Sequence, residues 1–128
     1  MEQCNKIIEI LKENNLSISG AESITGGLVS SELVKVSGAS DVFRGTLVSY
    51  QSSVKINTLK VDSELIDKYT PVSIAVLSAM LDGAKAFFES DIVYAITGSA
   101  GPTSYDGIPV GLVYYCLLYT SPSPRDAT

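Results

Sequence analysis

The sequence predicts an α/β domain of three layers, with helices on both faces of a central sheet. Three observations carry that expectation. An amphipathic stretch near the start leads into a short alternating segment and a glycine-containing turn. A continuous apolar run, Ile92-Val93-Tyr94-Ala95-Ile96, has the pattern of a strand buried on both faces. Between them lies a long helical stretch whose face is built of small residues. The 128 residues fit one domain, and 45% hydrophobic with 18% charged residues is a globular composition with one core.

Taken in order, Cys4, Ile7, Ile8 and Leu11 fall at helical spacing, and Asn14-Asn15 ends that helix. Leu16-Ser17-Ile18-Ser19 alternates as a strand does and runs into Ala21-Glu22-Ser23-Ile24-Thr25-Gly26-Gly27. Val29, Leu33 and Val36 mark a second helix that stops near Ser37-Gly38. Thr46 to Tyr50 reads as a strand, Ser52 to Leu59 as a short helix, and Asp62 as the cap of another reaching about Tyr69. Ser73 is placed to cap the longest helix, whose packed face would be Val76, Ala79, Met80, Gly83, Ala84 and Phe87. After the 92–96 strand comes a tight loop, Thr97 to Pro102, and Val110 to Leu118 forms the last strand. There is no internal repeat and no linker.

Composition removes several functions. The formal charge of −5 and the lack of a basic patch argue against nucleic acid as a partner. With no histidine, Ser-His-Asp triads, Cys-His dyads and histidine-ligated zinc are excluded. The carboxylates Asp62, Glu64 and Asp67 lack metal-ligand spacing, so neither metal nor cofactor is expected. Cys4 and Cys116 read as free thiols. No signal peptide is visible and no apolar run approaches the roughly 20 residues a bilayer requires, so a cytoplasmic location without membrane contact is the expectation.

The chemistry-bearing candidates cluster at strand ends. Ser23 stands where a strand gives way to a glycine turn, a position that can present a hydroxyl to solvent beside the N–H groups of Thr25, Gly26 and Gly27. An ordinary capping serine fits the same pattern. Lys55 is the candidate base, because without histidine a lysine made neutral by burial is the plausible activator of a serine, although position alone favours a solvated helix lysine. Tyr50 could orient that lysine or bind substrate, or be a plain strand aromatic. Thr97, Gly98 and Gly101 follow a buried strand, where open α/β sheets bind ligands, and could contact a nucleotide or form only a turn. Glu22 is either a support for Ser23 or a charge exposed on the loop.

In order and spacing, these segments resemble the CinA C-terminal family, whose members include nicotinamide-nucleotide amidases. Ala21 to Gly27 is similar to the family's Ala-Glu-Ser-x-Thr-Gly-Gly, Val36 to Gly45 to its Pro-Gly-Ser-Ser-x-x-Phe-x-Gly segment, and Tyr50 to Lys55 to its Tyr-Ser-Asn-Glu-x-Lys. Val72-Ser73, Thr97 to Pro102 and Pro109-Val110-Gly111 resemble its Ala-Val-Ser, Thr-Gly-x-Ala-Gly-Pro and Pro-Val-Gly. The resemblance implies an α/β fold and a metal-independent Ser-Lys amidohydrolase. In it Ser23 attacks the carboxamide of nicotinamide mononucleotide, Lys55 moves the proton, and Tyr50 and Thr97 position lysine and substrate. Thr25, Gly26, Gly27, Gly98 and Gly101 would line the substrate, and the complete protein would be a homo-oligomer. A non-catalytic nucleotide- or anion-binding module on the same fold is the alternative.

The chain departs from the pattern in places. Gln51-Ser52-Ser53 precedes the lysine, Thr70-Pro71-Val72-Ser73-Ile74 stands where members carry Gly-Ala-Val-Ser-Glu, and Ile108 stands at a usual lysine. Cys116 to Asp126 resembles a translated sequencing-adapter reading frame, and Pro122 and Pro124 oppose regular structure. The expectation is therefore a family domain over 1–115, incomplete at its C-terminus, followed by a non-native tail over 116–128.

Overall fold

The computed structural model describes residues 2–99 and 108–119. Four strands form one sheet in the order β2-β1-β3-β4. β1 (Ile18–Glu22) lies parallel to β2 (Phe43–Val48) and to β3 (Ile92–Gly98), while β4 (Val113–Tyr119) runs antiparallel to β3. Helices α1 (Glu2–Glu13) and α2 (Leu28–Val34) cover one face; α3 (Ser52–Leu59), α4 (Ser63–Tyr69) and α5 (Ile74–Phe88) cover the other. This is the three-layer α/β sandwich expected.

Strand alternation sorts β1 and β3 between two cores. Ile18 and Tyr94 pack with Ile8, Leu11 and Leu33 beneath α1 and α2. Ala21, Val93 and Ala95 pack with Leu59, Val76, Met80 and Ala84 beneath α3 and α5. Each cluster exists because successive side chains of a strand point to opposite faces.

Several boundaries differ from the expected ones. β1 starts two residues later than the alternation at Leu16 suggested, and all five of its residues are buried. Flanked by strands on both edges and helices on both faces, it buries its side chains on both sides, with small residues, Ser19, Gly20 and Ala21, at its centre. β2 ends at Val48, because Ser49 and Tyr50 turn their carbonyls toward a side chain described below. A register shift after Ile18 sets Arg44 outside the pairing with β1. α2 stops at Val34, and a short 3-10 turn at Ala39–Asp41 follows. Asp62 and Ser73 cap α4 and α5 as expected, accepting from the N–H groups of Glu64 and Val76. On α5, Leu77 and Leu81 join the core while Phe87, expected on the packed face, is 59% exposed. Gly83 lets α5 touch α3, since a Cβ there would collide with the Leu59 carbonyl.

β4 spans the expected domain boundary at 115, with Cys116 to Tyr119 pairing with Ala95 to Ile92. Residues 120–128 lie outside the described part. No helix among the described residues is long and apolar enough to cross a membrane.

Candidate active site

The parallel pairing of three strands sets the site. Glu22, the last residue of β1, aligns with Val48 of β2 and Ile96 of β3. Ser23, Ser49 and Thr97 therefore follow side by side at the carboxyl end of the sheet, the edge where open α/β sheets hold ligands. The Ser49 N–H donates to the Glu22 carbonyl at 2.7 Å, which locks β2 to β1 at that edge.

Lys55 enters from the second turn of α3. Its side chain is buried, 2% exposed, and no acidic side chain among the described residues pairs with it. Its ammonium nitrogen lies 3.0 Å from Ser23 Oγ, 2.8 Å from the Ser49 carbonyl and 3.2 Å from the Tyr50 carbonyl. Desolvation by burial lowers its pKa from 10.5 to about 8. Carbonyl oxygens only accept. A neutral amine has two N–H bonds and one lone pair, so the two carbonyls claim the N–H bonds and leave the lone pair facing Ser23 Oγ. The backbone thus orients the lysine as an acceptor for the serine proton.

Ser23 was expected to present its hydroxyl to solvent, but it is 5% exposed, closed over by the lysine and the neighbouring strand ends. The turn after it relies on two left-handed glycines, Gly26 at φ 63° and Gly27 at φ 103°. The Gly26 N–H donates to the Ser23 carbonyl at 3.0 Å and is occupied within the turn. The N–H groups of Thr25 and Gly27 make no hydrogen bond among the described residues. The Thr25 hydroxyl donates to Glu22 Oε1 at 2.7 Å instead of facing Ser23.

Tyr50 meets the lysine through its carbonyl; its ring is 70% exposed and its hydroxyl makes no hydrogen bond among the described residues. Thr97 is buried, and its hydroxyl donates to the Pro71 carbonyl at 3.0 Å, tying β3 to the loop before α5. Gly98 allows close packing, because a Cβ there would press on the Leu112 carbonyl and on the side chains of Ile24 and Val113. Gly101 lies outside the described residues.

Three participants escaped sequence reading. Ser49 contributes a backbone carbonyl, which no side-chain pattern advertises. Tyr94 looked like one apolar residue among five, yet its hydroxyl donates to Glu22 Oε2 at 2.6 Å. Gly20 makes room for that ring, which lies where a Cβ would be. The one available signal was a glycine inside a strand pattern, which marks close approach.

The sequence profile of the family described as "CinA C-terminal domain" matches residues 2–124. The chain belongs to the CinA C-terminal family. A CinA-like protein of Pseudothermotoga lettingae is 43% identical over 112 residues, covering 87% of this chain and 28% of that protein. A CinA-like protein of Fervidobacterium nodosum is 41% identical over 123 residues, covering 95% of this chain and 30% of that protein. The chain therefore spans less than a third of these curated relatives. Among solved structures, the competence/damage inducible protein CihA of Agrobacterium tumefaciens superposes with a TM-score of 0.89 at 32% identity, covering 93% of this chain and 73% of that one. The competence damage-inducible protein A of Klebsiella pneumoniae gives 0.89 at 28% identity, over 92% and 74%. CinA-superfamily structures thus share the sheet and its helical layers.

Proposed function

We propose that this CinA-family domain is a metal-independent amidohydrolase that converts the carboxamide of nicotinamide mononucleotide to the carboxylate, releasing ammonia. The observation that carries the reaction class is the buried Lys55 amine, 3.0 Å from Ser23 Oγ with its other hydrogen-bonding directions fixed by two carbonyls. The substrate rests on the motif resemblance. In this reading neutral Lys55 accepts the Ser23 proton as Oγ bonds to the carboxamide carbon. The resulting ammonium keeps its two carbonyl contacts and hands the third proton to the departing nitrogen, which leaves as ammonia. Water, deprotonated by the same amine, then breaks the acyl–serine bond and frees the acid and the serine. The N–H groups of Thr25 and Gly27 are the available donors for the oxyanion, since that of Gly26 is engaged. Thr97 acts by holding the Pro71 loop at the rim, and Tyr50 offers an exposed ring to the nucleotide.

The test is ammonia release from nicotinamide mononucleotide by the domain in its full natural chain, beside Ser23→Ala and Lys55→Ala. Loss of about 10³-fold or more in both variants is expected. Binding of the nucleotide by a folded wild type without ammonia release would replace this reading with the non-catalytic module.

A further inference from the structure

Glu22 takes no part in the chemistry above, yet it is fully buried beside the nucleophile. Each of its oxygens accepts two hydrogen bonds. Oε1 receives the Thr25 hydroxyl at 2.7 Å and the Val29 N–H at 3.1 Å. Oε2 receives the Ser30 N–H at 3.0 Å and the Tyr94 hydroxyl at 2.6 Å. All four donors are neutral, and they come from the turn, from α2 and from β3. A buried carboxylate persists only when its lone pairs are satisfied. Here that satisfaction joins three segments around one residue.

The carboxylate also lies on the wrong side to act on the base. β1 alternates, so the Glu22 side chain points with Ile18 toward α2, whereas Ala21 points with Leu59 toward α3, the helix that carries Lys55. No hydrogen bond joins Glu22 to Lys55 among the described residues. With no exposed surface, Glu22 cannot touch substrate either. What it holds is the path from Ser23 to Gly27: Glu22 is the residue before Ser23, Thr25 is bound to it, and so are the N–H groups of Val29 and Ser30, two and three residues beyond Gly27.

We infer that Glu22, pinned by Tyr94 across Gly20, is a positioning residue that fixes the 23–27 turn so that Ser23 Oγ meets the Lys55 lone pair. The inference rests on the Ser-Lys reading, and the test separates the two. A fluorophosphonate reagent labels a nucleophilic serine: an O–P bond forms, the P–F bond breaks, and the serine proton goes to the base. Labelling of Ser23 needs no knowledge of the natural substrate. It would be followed against pH in wild type, Glu22→Gln, Glu22→Asp, Tyr94→Phe and Lys55→Ala, each held well below its own unfolding transition.

The wild-type rate is expected to rise with pH through about 8, the value at which Lys55 loses its proton. Glu22→Gln, whose amide nitrogen faces donors, should label at least tenfold more slowly with the same pH midpoint. Glu22→Asp, one methylene short of the four donors, should not restore the rate. Tyr94→Phe, which removes one donor and is the safer variant to fold, should lose severalfold. Wild-type rates in folded Glu22→Gln and Tyr94→Phe would overturn the inference while leaving the Ser-Lys dyad intact. A shifted midpoint in either variant, or rescue by Asp, would also overturn it, since Glu22 would then act through charge. A wild type that labels no faster than Lys55→Ala would sink the Ser-Lys reading itself, and the inference with it.

Discussion

The two faces of the sheet meet the end of β1 with opposite arrangements. On the α2 face a buried acid, Glu22, is surrounded by four donors. On the α3 face a buried amine, Lys55, is surrounded by oxygens: two carbonyls that accept from it and the Ser23 hydroxyl, which faces its lone pair when the amine is neutral. The two groups do not neutralise each other, although β1 carries the acid and, one residue on, the partner of the amine. The difference lies in what each environment favours. Donors crowd around the carboxylate and match its acceptor-only chemistry. Burial disfavours the lysine's charge, and no acid among the described residues pairs with it to restore it. The α2 face therefore builds a fixed joint, and the α3 face holds an amine that can change protonation state near pH 8.

The largest effects should come from exchanging these arrangements. Lys55→Arg keeps a cation but offers no lone pair. Serine labelling and amide hydrolysis should fall about 10³-fold or more while thermal unfolding stays cooperative. Retention of even a tenth of the activity would mean that the amine is not the base, and the contrast between the two faces would lose its functional meaning.

On the acid face, the next largest effect is expected from Gly20→Ala. The added methyl would occupy the space of the Tyr94 ring and force its hydroxyl off Glu22. Overpacking of this kind, with a buried hydrogen bond lost, should cost about 3 kcal/mol by urea unfolding. A cost below about 1 kcal/mol would show that ring and carboxylate shift together without strain, and that the joint is softer than its four bonds suggest.

These two positions also show what could be read before the fold was known. Position alone left Ser23 and Lys55 open, since a capping serine and a solvated helix lysine fit there too; the motif resemblance singled them out, and the fold brings them within 3.0 Å of each other. The layers were legible from the 92–96 apolar run and from Ser73 and Asp62 as caps, all local signals. The burial of Glu22 was not legible, because it depends on a tyrosine 72 residues away in sequence. Nor were the carbonyls of Ser49 and Tyr50, which exist as ligands only because β2 ends at Val48. Long-range pairing supplies these contacts, and local pattern carries no trace of it.

The amine face makes a prediction about pH with a definite sign. In the fold Lys55 loses its proton near 8, and in the unfolded chain near 10.5. Between those values the unfolded state holds the extra proton, so stability should rise with pH across that window and level off outside it. The full rise is about 3 kcal/mol, obtained as the difference between wild type and Lys55→Met in urea unfolding at pH 7.5, 9 and 10.5. A flat difference would mean that the lysine stays charged in the fold. Amide hydrolysis should follow the same proton, with kcat/KM rising through about pH 8.

The smallest effect sharpens the comparison at its rim. Thr70 occupies φ 70° and ψ 162°, a conformation that suits glycine, and by the motif resemblance it stands at the glycine of Gly-Ala-Val-Ser-Glu. The strain is held in place from several directions. The Thr70 N–H donates to the Ile66 carbonyl, the Ser73 hydroxyl donates to the Thr70 carbonyl, and the Thr70 hydroxyl both donates to and accepts from Val72. The next carbonyl, that of Pro71, receives Thr97 at the end of β3. Replacing Thr70 by glycine should relieve about 1–3 kcal/mol of backbone strain against about 1 kcal/mol of extra unfolded-state entropy. The net expectation is a gain of about 1 kcal/mol, or about 4 °C in Tm. A loss of stability would show that the hydroxyl's two bonds to Val72 outweigh the strain. The loop holding Thr97 would then be fixed by side-chain hydrogen bonds, as the Glu22 joint is, and not by the shape of its backbone.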